Sequence, residues 1–175
     1  MKLHVLLAAM LILPLGCRTA PADDEAGSEP SPMSAGFRLV RSGSYAAAAS
    51  ATPGTGSEAS IAVAATPERY RQLWREHVDP VSTPPPVDFS RESAVILLLG
   101  QRSTGGWGIE PESVTVSGDA AEVRARIVRP EPGGIVTMAF SAPFAVIAVD
   151  SPRLRGAVLL DGEGEVVARS ESSSR

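Results

Sequence analysis

The chain has 175 residues, a formal net charge of −4 and a pI near 5.2, enough for one domain with a real core and too little for two comfortable ones. No basic stripe interrupts this acidic balance, which argues against nucleic acid as a partner, because phosphate binding needs clustered Lys and Arg. Lys2 is the only lysine; the other cations are arginines. GC-rich coding, which also explains the Ala, Gly and Pro content, is the preferred account of that bias; an interface built for bidentate carboxylate recognition would favour Arg too.

Residues 1–16 read as an export signal. Lys2 and His4 form a short polar start, and "VLLAAMLILPLG" follows without a charge. The run is too short to span a bilayer core, which takes about 20 apolar residues, and it fits a signal h-region. It ends at Cys17, the only cysteine, which therefore cannot form an intramolecular disulfide. "LPLGC" resembles a bacterial lipobox. Leu15 and Gly16 match the pattern, while Pro14 stands where Leu is usual. The expectation is lipidation at Cys17, which anchors the chain to a membrane without a spanning helix. Loss of Lys2 then takes the formal charge from −4 to −5. Arg18 after the cysteine, rather than Asp, lacks an inner-membrane retention signal. The expected location is therefore the cell envelope, facing periplasm or exterior, at the outer membrane where there is one. Residues 17–36 comprise the lipidated Cys and a disordered tether. "RTAPADDEAGSEPSPMSAG" has Met33 as its one bulky apolar residue and cannot bury enough surface to offset ordering. Its reach is roughly 25 Å as a coil.

The domain is expected over 37–169. "FRLVRSG" alternates Phe37, Leu39 and Arg41 as a half-buried strand does. "SYAAAASATPGTGSEAS" reads as strand edge and loop, and "ASIAVAA" as a short strand. Thr66, Pro67 and Glu68 then make a helix start: a cap, a residue whose missing N–H costs nothing, and an acid at the positive dipole end. Tyr70, Leu73, Trp74 and Val78 (or His77) form a stripe that should pack on a sheet. The prolines of "DPVSTPPPVDFS" exclude helix and central strand there. "AVILLL" reads as a strand buried on both faces. In "ESVTVSGDAAEVRARIV", a hairpin sets Val114 and Val116 against Val123, Ala125 and Ile127, with Arg124 and Arg126 outward. "GIVTMAF" and "PFAVIAVD" read as two further strands joined at "SAP". "GAVLLDGEGEVVARS" closes with a hairpin turned at "DGEG", and 170–175 is a disordered tail. The fold class is α+β, mostly β: about eight strands in a β-sandwich-like or antiparallel sheet core with one packed helix.

Enzyme chemistry finds little to work with. Without His4, His77 is the only histidine, so a histidine cluster cannot bind a metal and any Ser-His-Asp set must use it. "DGEGE" lacks the spaced loop calcium needs, and the Gly-Gly pairs lack the Lys and helix start of a phosphate loop. Asp88 reads as a turn residue. The expectation is a non-enzymatic protein without cofactor or metal.

The segment "VDFSRESAVILLLGQRSTGGWGIEPESVTVSGDAAEVRARIVRPEPGGIVTMAFSAPFAVIAV" resembles the PrcB C-terminal domain family. The resemblance rests on Leu73-Trp74, Asp88-Phe89, Gly100 to Trp107, Pro130 to Gly133 and Ser141 to Phe144, in that order, and extends over roughly Phe37 to Val167. Trp107 stands where the family's pattern has Tyr. The family takes its name from a lipoprotein that stabilises a secreted protease complex. The resemblance therefore implies a binding module that stabilises or scaffolds an exported protein, with Arg102, Thr104, Gly105, Gly106, Trp107 and Phe144 as its candidate binding residues. "STGGW" also resembles the inhibitory loop of chagasin-type cysteine-protease inhibitors, which makes a protease inhibitor the alternative. Two readings of the loop stay open. Gly105 and Gly106 serve backbone angles denied to other residues while Trp107 plugs the end of the sheet, or the loop presents a rigid aromatic anchor to a partner.

Overall fold

A computed structural model describes residues 32–46 and 58–170. Cys17, the expected signal, most of the tether and residues 171–175 lie outside the described residues.

Among the described residues two sheets face each other, with one helix on the outside. The five-stranded sheet runs in the order β1 (Met33–Ser34), β5 (Gly108–Ser117), β6 (Ala120–Val128), β8 (Gly156–Leu160), β9 (Val166–Arg169). The four-stranded sheet runs β2 (Phe37–Ala46), β7 (Ser141–Val149), β4 (Ser93–Leu98), β3 (Ser60–Ala64). Every pairing is antiparallel except β6 with β8. The expectation of a mostly β, α+β fold with a single packed helix holds.

The "AVILLL" run shows how period two builds three layers. Val95 and Leu97 point into the core between the sheets, where they meet Ile147 and Val149 from β7 and Val114, Val123 and Leu159 from the opposite sheet. Ala94 and Ile96 point the other way, toward α1 (Pro67–His77). A strand covered on both faces is apolar along nearly all its length; in β4 Ser93 is the polar exception, buried with its Oγ accepting the Leu154 N–H at 3.3 Å.

The helix forms for the reasons its sequence states. Thr66 is the N-cap, its Oγ1 accepting the Arg69 N–H at 3.3 Å, and Pro67 opens the first turn. Tyr70, Leu73, Trp74 and Val78 are buried against Ala64, Ile96, Phe144 and Val146. The Trp74 indole N–H donates to Ser82 Oγ at 3.1 Å, so the buried ring keeps its hydrogen bond.

Four expectations change. In β2 the register shifts between Leu39 and Arg41. Leu39, opposite Ile147 on this edge strand, is 54% exposed, and Val40 packs against the helix-side cluster. Met33 and Ser34, expected in the tether, pair with Val116 and Thr115, and the Ala35 N–H bonds to Val114 O. Met33 itself is exposed, so backbone pairing rather than burial adds this short strand. At the other end Ser170 is tied down, its N–H donating to Ala157 O at 2.8 Å and its Oγ accepting from Ala157 N at 2.7 Å. The largest change is "GIVTMAF", which is no strand. Residues 129–140 carry the chain from β6 in one sheet to β7 in the other. Strand β7 already has β2 and β4 on its two sides, so the crossover finds no edge there to pair with.

Between helix and sheet end, Arg38 holds Glu92 in a two-pronged pair, Nε to Oε1 at 2.8 Å and Nη2 to Oε2 at 2.9 Å. The Asp88 N–H adds a third bond to Oε2 at 3.0 Å. Asp88 is a turn residue, accepting from Ser90 N and Oγ on its own side chain. The Arg38 hydrogen bond, opposed by burial, holds the Glu92 carboxyl below its ordinary value of 4.5. A depressed folded value means that the pair stabilises fully above the unfolded carboxylate range and loses that contribution as pH falls through the folded value. Urea midpoints measured from pH 6 to pH 3 should therefore fall less steeply for Glu92→Gln than for wild type. Superimposable pH profiles would remove the pair from the acid-side stability.

Candidate functional site

The loop Gly100 to Trp107 leaves the buried strand β4 and doubles back into β5. Four sets of bonds fix its shape. Arg102 and Ser141 exchange backbone bonds, N to O at 2.7 and 2.9 Å. Ser141 Oγ donates to Thr104 O at 2.7 Å. The Gly105 N–H donates to Thr137 O at 2.9 Å. The Arg102 guanidinium Nη2 donates to Leu99 O at 2.6 Å.

The two glycines have different reasons to be there. Gly106 has φ +85, and a Cβ on it would sit 3.0 Å from Pro130 Cβ. Gly105 has no positive φ. It is small because the crossover passes close, with Thr137 Cβ 3.3 Å from where its own Cβ would be. The expectation of special backbone angles at both is thus corrected to one angle and one close approach. Together they let the 103–107 loop lie directly on the 129–140 crossover.

Trp107 is half-buried and belongs to neither core cluster. Its ring carries the Arg102 guanidinium, whose carbon lies 5.3 Å from the ring centroid. A cation over an indole face is a favourable electrostatic contact that also fixes the ring's orientation. The Arg102 Nε is buried without a partner among the described residues. Gln101, Arg102, Ser103, Trp107 and Phe140 line an open cleft of about 440 Å³. Phe140 is 47% exposed, and Ile135 and Met138 on the same crossover stand out in solvent.

Of the candidate binding residues, Arg102, Thr104, Gly105, Gly106 and Trp107 come together in this loop. Phe144 does not join them. It is 6% exposed and packs among the helix-side core residues, with Gly43 passing so close that a Cβ there would lie 3.3 Å from the ring. The residues that sequence reasoning missed are Phe140, Ile135 and Met138, read as strand, and Ser141, whose hydroxyl shapes the loop. An apolar run behind "PEPGG" that faces solvent is the available signal, but only the position of the crossover reveals it.

His77 sits at the end of α1, partly buried, and its burial, opposed by Glu76, lowers its pKa from the ordinary 6.5. Among the described residues no group of three or more His, Cys, Asp or Glu is placed to hold a metal ion. No helix among them is long and apolar enough to cross a membrane.

Comparison with protein families matches residues 93–150 to the family described as PrcB C-terminal. No curated protein and no solved structure matches the chain. The matched segment begins with β4, ends just after β7 and contains the β5–β6 hairpin and both loops of the cleft. It is narrower than the range over which the sequence pattern was read. The resemblance is supported where the cleft lies: over residues 93–150 this chain is similar to the PrcB C-terminal family.

Proposed function

We propose that this protein is a non-enzymatic lipoprotein of the cell envelope, whose domain docks and stabilises an exported protein such as a protease complex. The observation that carries the reading is the surface made by two loops. Trp107 is pinned under Arg102, and Phe140, Ile135 and Met138 stand exposed on the adjoining crossover. Aromatic and Arg anchors on a rigid frame are what protein interfaces use for most of their affinity. The family's namesake, a lipoprotein that stabilises a protease complex, supports the choice of partner class. Affinity capture of the lipidated protein from its own envelope fraction should recover a protease with wild type and lose it with Trp107→Ala. Recovery of the same protease by both forms would take this surface out of the site.

The anchor rests on "LPLGC". Cys17→Ser should abolish acylation and release the protein from membranes. Mass spectrometry showing an unmodified wild-type N-terminus would end that part of the proposal.

The alternative reading, a chagasin-like inhibitor, is favoured by one observation: the 103–107 loop and the 129–140 loop lie side by side, joined by the Gly105–Thr137 bond. An inhibitor inserts such a loop pair into a cleft and blocks a papain-like protease at stoichiometric concentration. A stabiliser leaves proteolysis intact and slows loss of the protease, and that is the outcome expected here.

A further inference from the structure

A second surface lies beside the far end of the sandwich's shared edge, where β3 ends the four-stranded sheet and β9 ends the five-stranded one. Four consecutive residues of β3, Ser60 to Val63, line a groove of about 340 Å³. Its helix-side wall includes Arg69, Leu73 and His77, and its other wall includes Arg155 and Arg169. No carboxylate lines it. On a chain of net charge −4, three arginines around one groove run against the overall balance.

These cations are largely uncommitted. Arg69 and Arg169 make no ion pair among the described residues, and Arg155 shares only a solvent-exposed contact with Asp119 at 3.4 Å. The His77 Nδ1 is buried without a partner. Among the described residues strand β3 pairs with β4 alone, and Ser60 to Val63 line the groove at its other edge, where no described strand pairs with it. A free strand edge is a template for another extended chain. Here the two walls also set the sign of the charge that such a chain should carry.

We propose that this groove binds an acidic, extended peptide segment of a protein partner as an added strand. The peptide backbone pairs with β3, and its carboxylates meet Arg69 on one wall and Arg155 and Arg169 on the other. Arginine suits this role because its planar fork takes a carboxylate through two parallel bonds. The site is separate from the Trp107 cleft and stands whether or not that cleft docks anything.

The test titrates the isotope-labelled full chain with a short synthetic peptide alternating glutamate with valine. The amide resonances of Ser60 to Ala64 and of Arg169 should shift, and added salt should weaken binding. Replacing both exposed arginines, Arg155→Glu with Arg169→Glu, should lower affinity by roughly tenfold or more, as reversal of paired interface charges does. The same peptide N-methylated at alternate residues keeps its charge and loses its donors, and it should bind far more weakly. Trp107→Ala should leave all of this unchanged. Equal binding of the N-methylated peptide, or full displacement by inorganic phosphate without shifts along β3, would reduce the groove to a simple anion site and overturn the proposal. So would shifts confined to the Trp107 loop.

Discussion

Trp74→Ala should cost the domain about 3–5 kcal/mol, the range for truncating a fully buried large aromatic. Trp74 is 1% exposed and sits at the centre of the helix-side core. Its ring meets Tyr70 edge-on at 6.0 Å between centroids, and Tyr70 in turn meets Phe89 at 5.7 Å. Truncation removes the ring's contacts with the sheet and opens a cavity beneath α1. It also leaves Ser82 without the indole donor. The loss should read as a lower urea midpoint with an unchanged slope, because the surface exposed on unfolding scarcely differs. Tyr70 offers an independent readout. Its burial pushes the phenol up to about 12, so loosening the helix should bring its titration back toward the ordinary 10. A Trp74→Ala domain with wild-type stability would mean that the helix does not depend on this contact.

Trp107→Ala should leave the fold nearly intact and weaken partner binding by about 2 kcal/mol or more, as loss of an interface anchor does. The separation follows from where the ring lies. It is outside both core clusters, and its face carries the Arg102 guanidinium. The loop keeps its shape without the ring, since the bonds of Arg102 and Ser141, Ser141 and Thr104, and Gly105 and Thr137 do not involve it. Gly106→Ala tests that frame from the other direction. At φ +85, with Pro130 3.0 Å from the new methyl, it should destabilise the loop and weaken binding together. A stability loss of several kcal/mol in Trp107→Ala would instead make the Trp a structural plug. A folded variant with wild-type affinity for its partner would remove it from the interface.

The elements written in local signals were legible in the sequence. The helix needed only Thr66, Pro67 and the Tyr70–Leu73–Trp74–Val78 stripe, because capping and the 3.6-residue period act within a few residues. Strand β4 needed only its unbroken apolar run, and the β5–β6 and β8–β9 hairpins only their turns and alternation. The tertiary structure decided what depends on residues far apart. Leu39 stayed exposed on the edge strand β2, and a free edge on β5 drew in Met33 and Ser34. The chain's return from β7 laid β8 parallel to β6. The apolar run after "PEPGG" became a crossover because both sides of β7 were taken, and that left Phe140 beside Trp107. Phe144 went into the core for a related reason. It lies on the helix side of β7, between Gly43 and Leu98 on the flanking strands. The sequence determined the helix, the buried strand β4, the two hairpins and that one loop must be glycine-rich. Only strand order, which rests on pairings between residues distant in the chain, decided which side chains share a surface.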